Sequence, residues 1–563
     1  MKTLTKVLSL LLVVAMVFVL ASCGDTNTPL PEQPSGGSQA GTPSNGAGAG
    51  NGNGNTTDSP VTVGPKNLVF AVNRDITDIS PFGARTAART QFMHLLFNYL
   101  FCVPTMTTGI EGYQPEVASD YEVLDAETVR ISIFDYIHDS KGNAIKAEDV
   151  KFCYDTALND PGTGVFLAPI LKSVEIVDEY TVDFKVNPLS LGQLETLITF
   201  VPIFSKTWYE NASNEELTKD PATTGSYKVG EMVTSSHLTL VKDEDYWQTD
   251  ESLRSRDCQQ PFDTIKFKVV LESAMEVIAL ENGEADVARQ IPVTELDAFA
   301  GDEWDCFGSK NSMFYCLLFN NDNSAFAGNK ELRQAVCYAI DQNALNMAFG
   351  NTAESGGICK AFGVDVFPDY NPDWLNGDYY SCNVDKAKGL MEQAGYADGL
   401  KVRVLYVQNT GSNAMMTILQ QQLKEIGIEA ELLAYDQAMF DTLKFNDKEW
   451  DICIDQKGGT QGFIATGWKT LFDPASYDNG SVCFTHDDKL TELLYACCDV
   501  DTHSQETVDA FNDYLNDQAY AYGLFWSKTM FVGQTSLGMN QDGQGEMCPG
   551  GWTPAPGYAS LAD

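Results

Sequence analysis

Along most of the chain, apolar residues recur in two alternating rhythms. Period-two stretches predict strands: Val129, Ile131 and Ile133 in TVRISIF, Val182, Phe184 and Val186 in TVDFKV, Ile265, Phe267 and Val269 in TIKFKVV, and Val402, Val404 and Tyr406 in KVRVLYV. Between them, apolar positions spaced at 3.6 residues predict amphipathic helices. Val150, Cys153, Tyr154, Ala157 and Leu158 share one face of KAEDVKFCYDTAL. Leu332, Ala335, Val336, Ala339 and Ile340 share one face of NKELRQAVCYAIDQNAL, with Asn329 placed to cap it. DKAKGLMEQAG carries Ala387, Leu390, Met391 and Ala394 and stops at Gly395, and MMTILQQQLKEIG carries Met415, Ile418, Leu419, Leu423 and Ile426 and stops at Gly427. Glycine takes the left-handed turn that closes a helix without steric cost. These stripes read as core faces. Strand–helix alternation over about 500 residues predicts α/β lobes with ligand clefts between them, and no internal repeat marks a solenoid.

The first 65 residues follow neither rhythm. Lys2 and Lys6 precede an apolar run, Val7 to Ala21, that is short for a membrane span and ends in small residues, the pattern of an export signal over residues 1–22. Leu20-Ala21-Ser22-Cys23 resembles the bacterial lipobox, which implies lipidation of Cys23. Residues 24–65 are Gly, Asn, Ser, Thr and Pro with few apolar groups, so residues 23–65 are expected to form a disordered tether. A coil of about 40 residues reaches roughly 35 Å. The expectation is a lipid-anchored, extracytoplasmic, otherwise soluble protein.

Charge and cysteine content narrow the function. The 563 residues carry 36 Lys plus Arg against 78 Asp plus Glu, a net charge of −42, which excludes a broad face for nucleic acid. Five dispersed histidines show no metal-ligand spacing. Fourteen cysteines lack a Cys-x-x-Cys pair, and many sit on apolar faces, so mostly free thiols are expected. The chain has no Gly-x-Ser-x-Gly elbow, His-Glu-x-x-His, Walker loop or Gly-x-Gly-x-x-Gly. Neither catalysis nor a cofactor is expected. One enzyme class survives this search, a secreted hydrolase using a pair of carboxylates, because such a pair leaves no local signature.

Six blocks in order carry a resemblance. GYQPEVASDYEVLDAETVRISIF with HDSKGNAIKAEDVKF (Pro115, Gly142, Ala147, Glu148, Asp149, Val150), TTGSYKVGEM with LVKDEDYW (Gly225, Tyr227, Lys228, Tyr246, Trp247) and IALENGEADVA (Gly283, Glu284, Asp286) come first. FYCLLFNNDNSAFAGNKELRQAVCYAID (Asn320, Phe326, Arg333, Gln334, Ala335, Tyr338 to Asp341), DKAKGLMEQAGYADG and LQQQLKEIGIEAEL follow. Together they resemble the extracytoplasmic solute-binding proteins of peptide-type ABC importers, family 5, the oligopeptide/dipeptide/nickel-binding group. The resemblance implies a periplasmic-binding-protein-like type II fold: two α/β lobes closing about a hinge, plus an inserted lobe. It implies lobe I from 66–105, 222–310 and 516–563, lobe II from 106–221, and lobe III from 311–515. It also implies a monomer that takes a small solute, foremost a short peptide, and hands it to an ABC permease. A saccharide oligomer, a nickel chelate, an opine-like compound and a sensor role are the alternatives.

The same resemblance places the ligand. Peptide-binding members carry an acid for the peptide ammonium after a strand of the second lobe; the two alignments here put Thr460 or Thr470 at its position, with Asp455 or Asp473 nearby. Loss of that charge-assisted bond costs about 1.5–3 kcal/mol. Gly458, Gly459 and Thr460 belong to a glycine-rich stretch suited to offer backbone N–H groups, and Gly467 and Trp468 to a stretch where an indole stacks on ligand or fills the lobe. After the first strand, Arg74 and Asp75 stand where backbone meets ligand, and Asn320 ends a strand near the cleft.

Overall fold

The computed structural model describes residues 66–537 except for 83–86, 103–112, 161–162, 256–257, 290, 354, 378, 445–448, 459–462, 475–482 and 484. The export segment, Cys23, the tether and the end of the expected return to lobe I lie outside the described residues.

One sheet runs through the body. In chain order its strands are β1 (Asn67–Val72), β2 (Tyr227–Val233), β3 (His237–Lys242), β4 (Thr264–Val269), β5 (Val287–Arg289), β6 (Trp304–Phe319), β7 (Gly356–Ile358), β8 (Leu400–Val407), β9 (Ile428–Tyr435), β10 (Ile452–Gly458) and β11 (Ala521–Gln534). Their spatial order is β9-β8-β10-β6-β11-β5-β1-β4-β3-β2, with β7 added on β11. β1 is parallel to β4 and β5 on one side, and β8 is parallel to β9 and β10 on the other. The two halves are joined by β6 and β11, which pair antiparallel from Trp304↔Gln534 to Leu318↔Ala521. Their register slips between Lys310 and Phe314 and again between Tyr315 and Cys316. Such irregularity bends a ribbon locally while its pairing continues on either side.

Period two shows directly in β6. Cys316 and Leu318 face one core of the second half, with Trp450, Trp468 and Phe511, while Leu317 and Phe319 face another. α1 (Lys330–Ala339), α2 (Gln342–Phe349) and α3 (Thr410–Glu425) supply Leu332, Leu345 and Leu419 to the latter. The stripe expected over NKELRQAVCYAIDQNAL is split between α1 and α2. The backbone leaves the helix at Ile340, and Asp341 starts α2 by accepting from Ala344 N at 3.2 Å. Asn329 caps α1 as expected, accepting from Leu332 N at 3.1 Å, and Gly395 and Gly427 turn with φ of +89° and +86°.

A separate four-stranded antiparallel sheet, Ala118–Asp125, Thr128–Ile133, Thr181–Val186 and Leu171–Asp178, shares a single hydrophobic core with the first half: Ile131 and Phe184 pack with Phe70 and Phe267. Helix Ala147–Asn159 buries Val150, Cys153, Tyr154 and Ala157 into it. The blocks that carried the resemblance are largely scaffold here. Asn98, fully buried, accepts from the Tyr246 hydroxyl at 3.1 Å and the Trp247 indole at 3.0 Å. Arg333 donates to the Phe326 and Gln518 carbonyls at 2.6 and 3.0 Å.

The segment after Val186 then crosses to the second half, where α4 (Ile464–Phe472), α5 (Asp488–Cys498) and α6 (Gln505–Gln518) lie. Leu191 N donates to Cys498 O at 2.9 Å, Ser190 bridges Asp499, and Lys469 Nζ donates to Ser190 Oγ at 2.9 Å. Twelve described cysteines are free thiols, ten of them buried. Among the described residues no helix is long and apolar enough to cross a membrane.

Leu317 pairs with both Ile454 and Tyr522 and is fully buried, so Leu317→Ala is expected to cost about 2–5 kcal/mol in urea unfolding.

Candidate functional site

The register fixes where the two halves face each other. β5 ends at Arg289, opposite Phe531 of β11, and continues toward the irregular stretch of the ribbon. β10 approaches that stretch from the other half and ends at Gly458, opposite Met313 of β6. The carboxyl ends of β1, β5 and β10 therefore converge on the bend. In open α/β sheets ligands gather outside strand carboxyl ends, where loops diverge and leave backbone groups free.

On the second half, Asp455 and Lys457 point from β10 to the same side. Asp455 Oδ2 accepts from Lys444 Nζ at 2.9 Å and from Lys457 Nζ at 3.1 Å, while Oδ1 accepts from Gln456 N at 2.8 Å. Lys444 also lies 3.4 Å from Asp441, which is half exposed. Burial alone pushes the Asp455 carboxyl up, but the two ammonium groups outweigh it and hold the carboxyl below its usual range. Burial pulls Lys457 down and Asp455 outweighs that, so the lysine stays charged. Asp455 is thus spent on two lysines and does not stand free as an ammonium partner.

Asp473 is 6% exposed and accepts from the Tyr495 hydroxyl at 2.8 Å. Thr470 is exposed and turns its hydroxyl onto Gly467 O at 2.7 Å within α4. Gly467 is buried in that helix, whose first N–H groups, on Ile464 and Ala465, are met by Asp369 at 2.8 and 3.2 Å. Trp468 is 1% exposed; its indole donates to Phe362 O at 2.7 Å and stacks on Phe511 at 4.7 Å. Of the two readings of Trp468, this geometry is that of lobe filling. Gly458 closes β10, and Gly459 and Thr460 lie outside the described residues.

Asn320 is a structural cap in this conformation. It is fully buried, donates to Trp450 O at 3.0 Å, and accepts from the N–H groups of Asp322 and Asn323 at 3.2 and 3.3 Å. On the first half, Asp75 accepts from Ser235 Oγ at 2.9 Å, and Arg74 is exposed with no hydrogen bond or ion pair among the described residues. Below it lie Arg289 and Glu276, 3% and 0% exposed. Burial, with Arg74 adding to it, pulls Arg289 down to about 10, and burial pushes Glu276 up to about 8 against the pull of Arg289. Near neutral pH Arg289 is therefore charged while Glu276 is pushed toward its neutral form, a feature with no sequence signal because Glu276 lies on a helix between strands and meets Arg289 only in the fold.

A cavity of about 280 Å³ is bordered by Asp341, Lys360 and Tyr379 and by Tyr522 and Gly523 of β11, next to the second register slip. Among the described residues no cluster of His, Cys, Asp and Glu is arranged to hold a metal.

Residues 112–479 match the model of bacterial extracellular solute-binding proteins, family 5, and the chain belongs to that family. It is a solute-binding component of a peptide-type ABC importer, outward-facing and non-enzymatic. The glutathione-binding protein GsiB of Shigella flexneri is 23% identical over 456 residues, covering 76% of this chain and 83% of that one. Heme-binding protein A of Haemophilus influenzae is 24% identical over 280 residues, about half of either chain at 48% each. Two solved structures share the fold. The oligopeptide-binding protein AppA of Bacillus subtilis with a nonapeptide has a TM-score of 0.68, 17% identity, and coverage of 89% and 100%. AgaA of A. tumefaciens R10 with agropinic acid has a TM-score of 0.69, 21% identity, and coverage of 88% and 99%.

Two outcomes follow from this geometry. Asp455→Asn leaves two neighbouring lysines without their carboxylate and is expected to cost about 3–5 kcal/mol at pH 7 by urea unfolding. Because the folded Asp455 carboxyl is depressed, its contribution is complete above about pH 4 and lost as pH falls further, so wild type and variant converge in acid. Trp468→Ala is expected to cost about 3–5 kcal/mol, whereas Thr470→Ala stays within about 0.5 kcal/mol; thermal melts check both.

Proposed function

We propose that the protein captures a small extracellular solute at the bend of the β6–β11 ribbon, by closure of the two halves, and delivers it to an ABC permease while held to the membrane through a lipid on Cys23. The convergence of strand carboxyl ends from both halves on one irregular stretch carries this reading. In this proposal 66–105, 222–310 and 516–563 form one lobe, with 106–221 inserted, and close against 311–515. A short peptide is the solute first expected, and backbone groups at the end of β10 suit it, as does the nonapeptide bound by AppA. The paired state of Asp455 and Asp473 favours a second reading, a solute without a free ammonium, as AgaA binds agropinic acid. Arg74, Asp75, Gly458, Gly459 and Thr460 remain the proposed contacts, with Asn320, Gly467, Trp468, Thr470 and Asp473 supporting the wall behind them. Affinity is expected near micromolar, about −8 kcal/mol.

Native mass spectrometry of the full chain purified from its membrane, followed by small-angle scattering with and without the retained molecule, tests the proposal. A bound small molecule whose removal enlarges the radius of gyration is expected. Identical profiles with consumption of an added solute would mark a hydrolase instead.

A further inference from the structure

The Lys444–Asp455–Lys457 cluster lies by the carboxyl end of β10. Both ammonium groups bond to the same oxygen, Asp455 Oδ2, and the other oxygen is occupied by the backbone N–H of Gln456. Lys444, 4% exposed, has Asp441 as a further partner. Among the described residues Lys457 makes only its bond to Asp455, which leaves two of its three N–H donors unengaged there, and 23% of its side chain remains open. It is the next-to-last residue of β10. Across the bend, Arg74 follows the end of β1 and is exposed with no hydrogen bond or ion pair among the described residues. Glu276, the carboxylate behind it, is fully buried with both oxygens unbonded. In a chain of net charge −42, Lys457 and Arg74 are two partly open cations near strand ends that converge on the bend from the two halves.

Resting on the receptor role proposed above, we infer that Lys457 and Arg74 together receive a carboxylate of the solute, so that the ligand is an organic acid held by its anionic end. Lys457 donates its unengaged N–H groups to one carboxylate oxygen from the second half. Arg74 meets the same group from the first half as the halves close. An anionic guest thereby supplies the counter-charge that Asp455 divides between two lysines, and it couples binding to closure because each half contributes one cation. An ammonium beside Lys457 would meet a like charge whose carboxylate, Asp455, is already bonded to two lysines.

The test uses matched pairs that differ only in the acid: short peptides and their C-terminal amides, N-acetylated peptides with a free carboxylate and their amides, and sugar–amino acid conjugates with their methyl amides. Each is titrated by calorimetry into the full chain, with thermal shift as a second readout. The expected result is that at least one acid binds, that its amide binds tenfold or more weakly, and that N-acetylation changes affinity less than threefold. Lys457→Met and Arg74→Ala are expected to lower affinity for the acid about tenfold each and to bring acid and amide together, while Lys457→Arg retains the preference. Lys457→Met leaves Asp455 paired one-to-one with Lys444, so an unchanged melting temperature verifies its fold. Equal binding of acids and amides, or an acid preference that survives both substitutions, overturns the inference and leaves the receptor role intact. If nothing in the panel binds, and the membrane-purified chain carries no retained molecule, both fail together.

Discussion

The antiparallel pairing of β6 with β11 is the constraint on which the rest of the molecule depends. Two strands of 16 and 14 residues make one ladder with two register slips in it, and each half of the body hangs its own parallel strands on one end of it. Because the ladder satisfies backbone groups on both sides of its register slips, the two halves hold separate cores without being separate chains of structure. A bend at the slips changes the angle between cores that are themselves rigidly packed. The same pairing puts the carboxyl ends of β1, β5 and β10 at the bend.

The electrostatics of the two walls follow from burial. Asp455 is held ionised by neighbours that exceed it in charge, whereas Glu276 is pushed toward its neutral form by an apolar setting that Arg289 offsets only in part. Both effects keep cations charged at strand ends that meet the bend. This is the opposite of the chain as a whole, whose acids outnumber its bases roughly two to one. Repulsion by the surface and attraction at the bend act on the same anion, so discrimination rests on short-range contacts made once water is displaced.

Much of the scaffold was legible in the sequence because it is local. Period two marked Thr128–Ile133, Thr181–Val186, Thr264–Val269 and Leu400–Val407, and Asn329, Gly395 and Gly427 marked helix ends. The break between α1 and α2 was not legible, since the apolar stripe runs through Ile340 and only the capping of Asp341 stops it. The ligand wall was read less well. Trp468 and Asn320 have the residue types of a binding site, yet each donates to a backbone carbonyl more than 100 positions away, and Asn320 spends its oxygen on nearby N–H groups. Asp455 reads in the sequence as a spare acid, while its partners Lys444 and Lys457 carry no local signal, because alternation along β10 and the end of a preceding helix bring them together only in space.

The loop at Ser190 and Leu191 adds a mechanical asymmetry. The four-stranded insertion shares its core with the first half, but this loop is fastened to α4 and α5 of the second through Lys469, Cys498 and Asp499. It therefore works as an outrigger, a second point of attachment set off from the pivot. Any swing of one half against the other must either shear these three polar links or flex the strap that carries them, so the travel of the jaws is bounded by the strap's slack as well as by the pivot.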